Sequence, residues 1–380
     1  MSVQQIGVQA LPARQGAEQC EVAIALRREQ TSSACAESAL RMLARLKWDA
    51  THGADLMLRL MESPTPPRVV VSGSSGAIAG EVIAALVAMG VRIDRLVRRG
   101  SAPRTPNLAG RDWWWEPRAG GNVEPGALDG AYAVVHTAAE SVMGRWSASK
   151  KLAMRESRVE GTRVLARAAA QAETPPRVFI SASGAHAYGD RGDETMTEDA
   201  GYGSGFLAEL VRDWEAATQP AMDAGVRTAM LRIGVVQHAR SGAIREMALP
   251  FRLGLGVIIG PGGQHWPWVS MVDVVGAMLH VMSKPSVRGP VNVVCPEEAT
   301  ADSFARALAR AMDKPLFAKV PAAMLRAAMG EQVDGLIMST RVAPDVLRRT
   351  GYQFALPAME AAMRWEVGAV RPQDVGIAVA

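Results

Sequence analysis

The chain has 380 residues, of which 48% are hydrophobic and 21% charged, with a formal net charge of +4. That length and balance fit a water-exposed globular protein with two lobes, and the dispersed basic residues argue against a nucleic-acid partner. No apolar run reaches the ~18 residues of a membrane span, and Cys20, Cys35 and Cys295 form no CxxC or metal spacing.

Residues 1–66 precede the first strand and read as a helical extension and linker. Ser33 can cap a helix running to Trp48, with Ala36, Ala39, Leu40, Leu43 and Leu46 on one face. Leu56 to Met61 form a second apolar cluster ending in the linker SPTPP. Such an arm packs on the main body or docks a protein partner. The N-terminus has no charged-then-apolar leader, and Glu18 and Glu21 argue against a transit peptide. The expected location is therefore the cytoplasm.

Arg68 to Leu86, RVVVSGSSGAIAGEVIAAL, organises the rest. Val69 to Val71 are a β-branched run typical of a strand buried on both faces, and from Ile78 the apolar residues fall at helical spacing. Strand, glycine turn and helix form the context of a dinucleotide phosphate site: Gly73 makes the turn and Gly76 lets the backbone approach a pyrophosphate. The backbone of Ser74, Ser75, Ala77 and Ile78 completes the anion-facing loop at the helix N-terminus.

A second strand, Val91 to Val97, ends in Arg98 and Arg99. An acidic residue at this strand end holds a free ribose 2′-hydroxyl, whereas arginine accepts a 2′-phosphate, so NADP is favoured over NAD. Asp112 to Pro117 (DWWWEP) holds a further short strand, whose three tryptophans cannot all face inward. Tyr132 to Thr137 is a buried strand. Thr137, Ala138 and Ala139 at its end are small enough for a cofactor to pass close by.

A helix over Glu160 to Ala170 and a strand over Arg177 to Ser181 continue the alternation. The expected fold is α/β: a Rossmann-type doubly wound parallel sheet with a smaller C-terminal α/β lobe and a helical N-terminal extension. Ligands bind beyond the carboxyl ends of such strands, so Ser181, Ser183, His136 and the glycine turn are expected to share one crevice.

Val226 to Val236 adds a strand, and Pro250 to Gly263 reads as a glycine-rich loop over the cleft. Trp266 and Trp268 beside His265 suit the wall of a flat or apolar ligand site. Asp273 opens a helix, where a carboxylate favours the N-terminus. Thr300 to Met312, Ala322 to Met329 and Val342 to Thr350 read as helices, with Pro344 in the first turn of the last. The expected division is 1–66, 67–240 and 241–380, with the chain around 270–295 returning to the main sheet.

VVVSGSSGAIAG, GRWSASKKLAMRESRVEGT, VFISASGAHAYGDRGDE, GFLAELVRDWEAA, FRLGLG, WPWVSMVDVVGAM and GEQVDGLIMSTRVAP together resemble an atypical branch of the extended short-chain dehydrogenase/reductase superfamily. That branch is the epimerase-like NADP-binding family with a C-terminal domain of unknown function. The resemblance covers the chain from Arg68 almost to its end. It implies NADP as cofactor and an oxidoreductase or epimerase-like reaction on a small molecule.

The superfamily's proton chemistry uses a tyrosine and, four residues on, a lysine. None of the four tyrosines here is followed by that lysine: His136, Gly192, Phe206 and Leu356 stand in its place after Tyr132, Tyr188, Tyr202 and Tyr352. In the aligned helix Leu207 and Val211 hold the two positions, and neither side chain transfers protons. The resemblance matches Ser183 to the superfamily serine and Arg158 to its relay asparagine, and leaves Ser183, Tyr188, Arg158, His136 and His186 in the crevice. Two readings follow: an enzyme using Ser183, Tyr188 and Arg158, or a non-catalytic NADP(H)-binding scaffold or sensor.

Overall fold

The computed structural model describes residues 67–100, 110–238 and 242–367. The expected N-terminal extension lies outside these residues. Thirteen strands occur among them: β1 (Arg68–Ser72), β2 (Arg92–Arg98), β3 (Asp112–Trp115), β4 (Ala133–His136), β5 (Val178–Gly184), β6 (Thr195–Met196), β7 (Arg227–Ile233), β8 (Val235–Gln237), β9 (Gly256–Ile259), β10 (Trp268–Ser270), β11 (Gly289–Val293), β12 (Leu316–Val320) and β13 (Arg341–Val342).

Seven of them form one parallel sheet in the order β11-β7-β5-β4-β1-β2-β3. The chain winds outward from β1 in one direction and from β4 in the other, so the topological switch point falls between β1 and β4, where Ser72 lies opposite His136. This is the Rossmann-type sheet expected from the apolar runs. Alternation of side chains splits the core in two: Val69, Val71, Val135 and Ile180 join one cluster, while Val70, Val134 and Phe179 join the other.

The helix Met271–Ser283 is buried along its whole length and lies within the first of these clusters. Ser270 caps it, its Oγ accepting from the Asp273 N–H at 2.9 Å. The Asp273 carboxylate in turn accepts from the N–H groups of Ala355 (2.7 Å) and Leu356 (3.1 Å) and from the Tyr352 hydroxyl (3.1 Å). That side chain holds the helix to a segment about 80 residues further along.

The smaller lobe departs from expectation in three places. The strand expected over Val226 to Val236 breaks at Gly234, where a Cβ would stand 2.7 Å from the Pro267 carbonyl oxygen, and β8 then pairs with β10 instead. The expected loop over Pro250 to Gly263 is the last turn of the helix Gly242–Arg252 followed by β9, which pairs with β12. The helix expected over Val342 to Thr350 is β13 followed by the short helix Asp345–Arg349, because β13 pairs with β6. Pro344 caps that helix rather than entering its first turn, consistent with its restriction of the residue before it.

Candidate functional site

At the switch point β1 ends in a turn closed by the Gly76 N–H donating to the Gly73 carbonyl at 2.8 Å. Gly73 has φ +75°, and a Cβ there would lie 2.7 Å from the Ala138 backbone nitrogen. Only glycine lets the two strand ends approach this closely. Gly76 has an ordinary extended conformation and caps the helix Ala77–Ala88 without any side-chain bond, and no acidic residue occupies the first turn. The opening N–H groups of the helix are thus left for an anion, beside a backbone with no side chain in the way.

Ser74, Ala77, Ile78, Thr137 and Ala138 are half-buried around this turn, and Ser75 and Ala139 are exposed. Thr137 fixes the adjoining strand end by donating its hydroxyl to the Ser72 carbonyl at 3.0 Å. Arg98 and Arg99 are exposed at the end of β2, and the Arg99 guanidinium lies 4.2 Å over the Trp114 ring. Of the three tryptophans Trp115 faces the core, while Trp113 carries the Arg111 guanidinium 3.7 Å over its ring. The glycine turn, arginine pair and small strand end therefore form one open rim, and their donors and lack of bulk fit a phosphorylated dinucleotide.

Two expected members of the crevice stand behind it. His136 is fully buried, with Nδ1 2.6 Å from Ser72 Oγ and Nε2 3.0 Å from Thr162 Oγ1, so both ring nitrogens are occupied inside the protein. Burial pushes its pKa down to about 3, leaving it neutral. Ser181 is also buried, and its hydroxyl turns to the Ala182 carbonyl at 3.0 Å.

The strand β5 delivers Ser183, whose hydroxyl donates to Glu215 Oε1 at 2.6 Å. Glu215 was not singled out by sequence reasoning. It lies on the helix Phe206–Ala216 four residues after Val211 and eight after Leu207, in one inward row. That spacing was the available signal. Its carboxylate binds Arg232 bidentately, at 2.9 Å from both Nε and Nη2, and accepts from the Tyr202 hydroxyl at 2.7 Å.

The network continues from Arg232 Nη1 to the Tyr188 hydroxyl at 3.0 Å, and Tyr188 donates to Asn292 Oδ1 at 2.6 Å. Tyr188 is 0% exposed, and burial raises its pKa against the opposing pull of Arg232, so it stays protonated. Ser183 and Tyr188 thus share one buried network but are separated within it by Glu215 and Arg232. Tyr188 has no face toward a ligand.

Arg158 sits on a π-helical turn, Glu156–Glu160, and donates to the Glu140 carbonyl at 2.8 Å and that of Met154 at 3.3 Å. Burial lowers its pKa to about 10, and it remains a cation at neutral pH. His186, half-buried on the short turn after β5, is held to a pKa of about 4, chiefly by its buried surroundings and then by the charge of Arg158. Its imidazole is neutral near pH 7.

His186 lines a cavity of about 130 Å³ beyond the carboxyl ends of β4, β5 and β7, together with Trp146, Leu207, Trp266, Leu336 and Met338. Trp266 is held in the wall by its Nε1–H donating to the Leu336 carbonyl at 2.9 Å. Trp268, expected beside it, is 1% exposed and donates to the Glu297 carbonyl at 2.8 Å, so it belongs to the core rather than to the wall. A second hollow of about 280 Å³ adjoins the first through Trp146, Leu207, Gly335 and Met338, and carries Asp190, Arg326, Glu331 and Asp334. Among the described residues no cluster of three metal-ligating side chains occurs.

The model of the NAD dependent epimerase/dehydratase family matches residues 69–294, and that of a domain of unknown function, DUF1731, matches residues 320–366. An epimerase family protein of Mycobacterium bovis, Mb2239, is 37% identical over 75% of this chain and 93% of its own. The crystal structure of human epimerase family protein SDR39U1 with NADPH is similar, with a TM-score of 0.71 and 30% identity over 80% of this chain and 100% of that one. A nucleoside-diphosphate sugar epimerase from Corynebacterium glutamicum is similar with a TM-score of 0.66 and 28% identity, over 89% of this chain and 68% of that one.

Proposed function

Because this chain belongs to the NAD dependent epimerase/dehydratase family, we propose that it binds NADP(H) at the switch point and acts as an oxidoreductase or epimerase-like enzyme on a small molecule. The observation that carries this reading is the uncapped, acid-free helix start at Gly76, beside the exposed pair Arg98 and Arg99. The N–H groups from Gly73 through Ile78 hold the pyrophosphate, with Ser74 and Ser75 at its edge. Arg98 and Arg99 take the 2′-phosphate, and Thr137, Ala138 and Ala139 let the cofactor pass. Ser181 contributes backbone only. A solved relative that carries NADPH, human SDR39U1, supports the same choice of cofactor.

A bound NADPH supplies a hydride. Ser183, which matches the superfamily serine, is the assigned polar side chain, and its hydroxyl is oriented by Glu215. Tyr188 acts on Ser183 only through Arg232 and Glu215, as a positioning residue, and burial, aided by the charge of Arg158, keeps His186 neutral at the wall. Leu207 and Val211 move no proton. The reading keeps the protein in the cytoplasm, with no nucleic-acid partner and with residues 1–66 open to a protein partner. No helix of the described residues is long and apolar enough to cross a membrane.

A second reading is favoured by Leu207, Val211 and the burial of Tyr188: a scaffold or sensor that binds NADP(H) without turnover. Both readings require the cofactor. Titration of NADPH and NADH followed by fluorescence tests it, with NADPH expected to bind about ten- to a hundredfold more tightly, the value of a charge-assisted phosphate contact of about 1.5–3 kcal/mol. Equal affinities remove the role of Arg98 and Arg99.

A further inference from the structure

We propose that the cavity beyond β5 takes a compact, uncharged aromatic aldehyde or ketone, its oxygen held by His186 and Gln332, and does not take a nucleotide sugar. The assignment rests on the cofactor reading above, because it names the class of compound presented beside that cofactor.

Size comes first. A cavity of about 130 Å³ compares with the roughly 150 Å³ that admits a benzene ring in an apolar protein interior. The walls are indole, thioether and aliphatic surfaces, from Trp146, Trp266, Leu207, Leu336, Met143 and Met338. Gly335 keeps the space open: a Cβ there would lie 3.1 Å from Leu207 Cδ1 and 3.7 Å from Trp146 Cη2.

Polar groups come second. Gln332 lines the cavity, is 7% exposed, and its amide has no hydrogen-bond partner among the described residues. The His186 imidazole in the same wall is likewise without one among the described residues, and so is the buried Nδ1 of His265, another residue of that wall. Of these, His265 Nδ1 is the buried atom; native proteins rarely leave such a group unpaired, and a bound oxygen satisfies it. The Gln332 amide and the His186 imidazole line the open cavity. An amide N–H and a neutral imidazole N–H both suit a carbonyl acceptor.

Charge comes third. No lysine, arginine, aspartate or glutamate lines the cavity. The adjoining hollow carries three carboxylates, of which Asp334 is paired with Arg326 at 2.7 Å and Glu331 with Lys151, and Asp190 has no ion pair among the described residues. A diphosphate entering there finds Arg326 and Lys151 already engaged by carboxylates and meets the Asp190 charge.

The test uses benzaldehyde as probe and UDP-glucose as counter-probe on the full chain saturated with NADP⁺, which has no hydride to give, read by ligand-observed NMR. Benzaldehyde is expected to bind with a Kd on the order of millimolar. His186→Leu and Gln332→Leu are each expected to weaken it about two- to tenfold, the value of one neutral hydrogen bond. Gly335→Val, which fills the space, abolishes it. NADP⁺ affinity stays unchanged in the three variants and reports that they are folded. Gly335→Ala replaces any that is not.

Displacement of benzaldehyde by UDP-glucose overturns the proposal, as does wild-type affinity in the double variant His186→Leu/Gln332→Leu. If NADP⁺ binds and benzaldehyde does not, the cavity assignment falls while the cofactor reading stands. If benzaldehyde binds with the expected side-chain dependence and NADP⁺ does not, the cavity assignment stands and the cofactor reading falls.

Discussion

Two residues show how buried polar chemistry works here. Asp94, in the middle of β2, has no exposed side-chain surface and accepts from Arg68 (2.9 Å), the Arg111 N–H (2.9 Å) and the Trp113 indole (2.8 Å). Burial alone would raise its pKa, but the Arg111 N–H, Trp113, Arg68 and Arg92 outweigh that and hold it below the ordinary value. A depressed folded pKa stabilises above the unfolded value of about 3.9 and loses its contribution as the pH falls through the folded value. Asp94→Asn is therefore expected to cost about 1.5–3 kcal/mol at pH 7, with the gap to wild type narrowing below about pH 3.9. Urea denaturation at several pH values measures both. Tyr188 is the second case. Tyr188→Phe leaves Arg232 Nη1 without its oxygen and Asn292 Oδ1 without its donor, and is expected to cost about 1–3 kcal/mol in urea melts. NADPH affinity should stay within about twofold of wild type, because the hydroxyl faces no ligand. A larger loss of cofactor affinity sinks the positioning role.

At the scale of elements, the glycine turn invites a direct substitution. Gly76 has φ −79° and ψ 157°, which any residue adopts, so Gly76→Val does not fail on backbone strain. Its Cβ would stand 3.1 Å from the Gly73 carbonyl oxygen, and its methyl groups would crowd the N–H row of the helix. Loss of NADPH binding with an unchanged thermal unfolding temperature is expected, and normal binding would show the turn to be only a turn. This turn and the strands around it were legible in the sequence because local features announce them: a valine run, a glycine break, then helical spacing. Glu215 was much less legible, its spacing after Leu207 and Val211 being its one signal. A carboxylate on an amphipathic helix reads as solvent-facing, and its partners Arg232, Ser183 and Tyr202 come from elsewhere in the chain. The break of the strand at Gly234 was hidden for the same reason, since the carbonyl that a side chain would strike belongs to Pro267. The pairing of Trp266 with Trp268 misled in the opposite direction, for their equal spacing hides that Trp268 is claimed by the Glu297 carbonyl.

Taken as a whole, the molecule closes part of its core with residues from late in the chain. The helix Met271–Ser283 needs Tyr352, Ala355 and Leu356 to satisfy Asp273, whose burial otherwise disfavours its charge. The outermost sheet strand, β11, is itself joined through the Asn292 Nδ2–H to the Ala343 carbonyl and through Glu198 to the Val346 N–H. A ribosome building this chain has therefore delivered the whole glycine turn and all seven sheet strands before Tyr352, Ala355 and Leu356 reach the Asp273 carboxylate, which until then has the Ser270 hydroxyl as its side-chain donor. Until residues 352–356 emerge, the sheet's sequence is complete while this acid still lacks three of its donors. Consolidation of this part of the core thus waits on residues made well after the glycine turn.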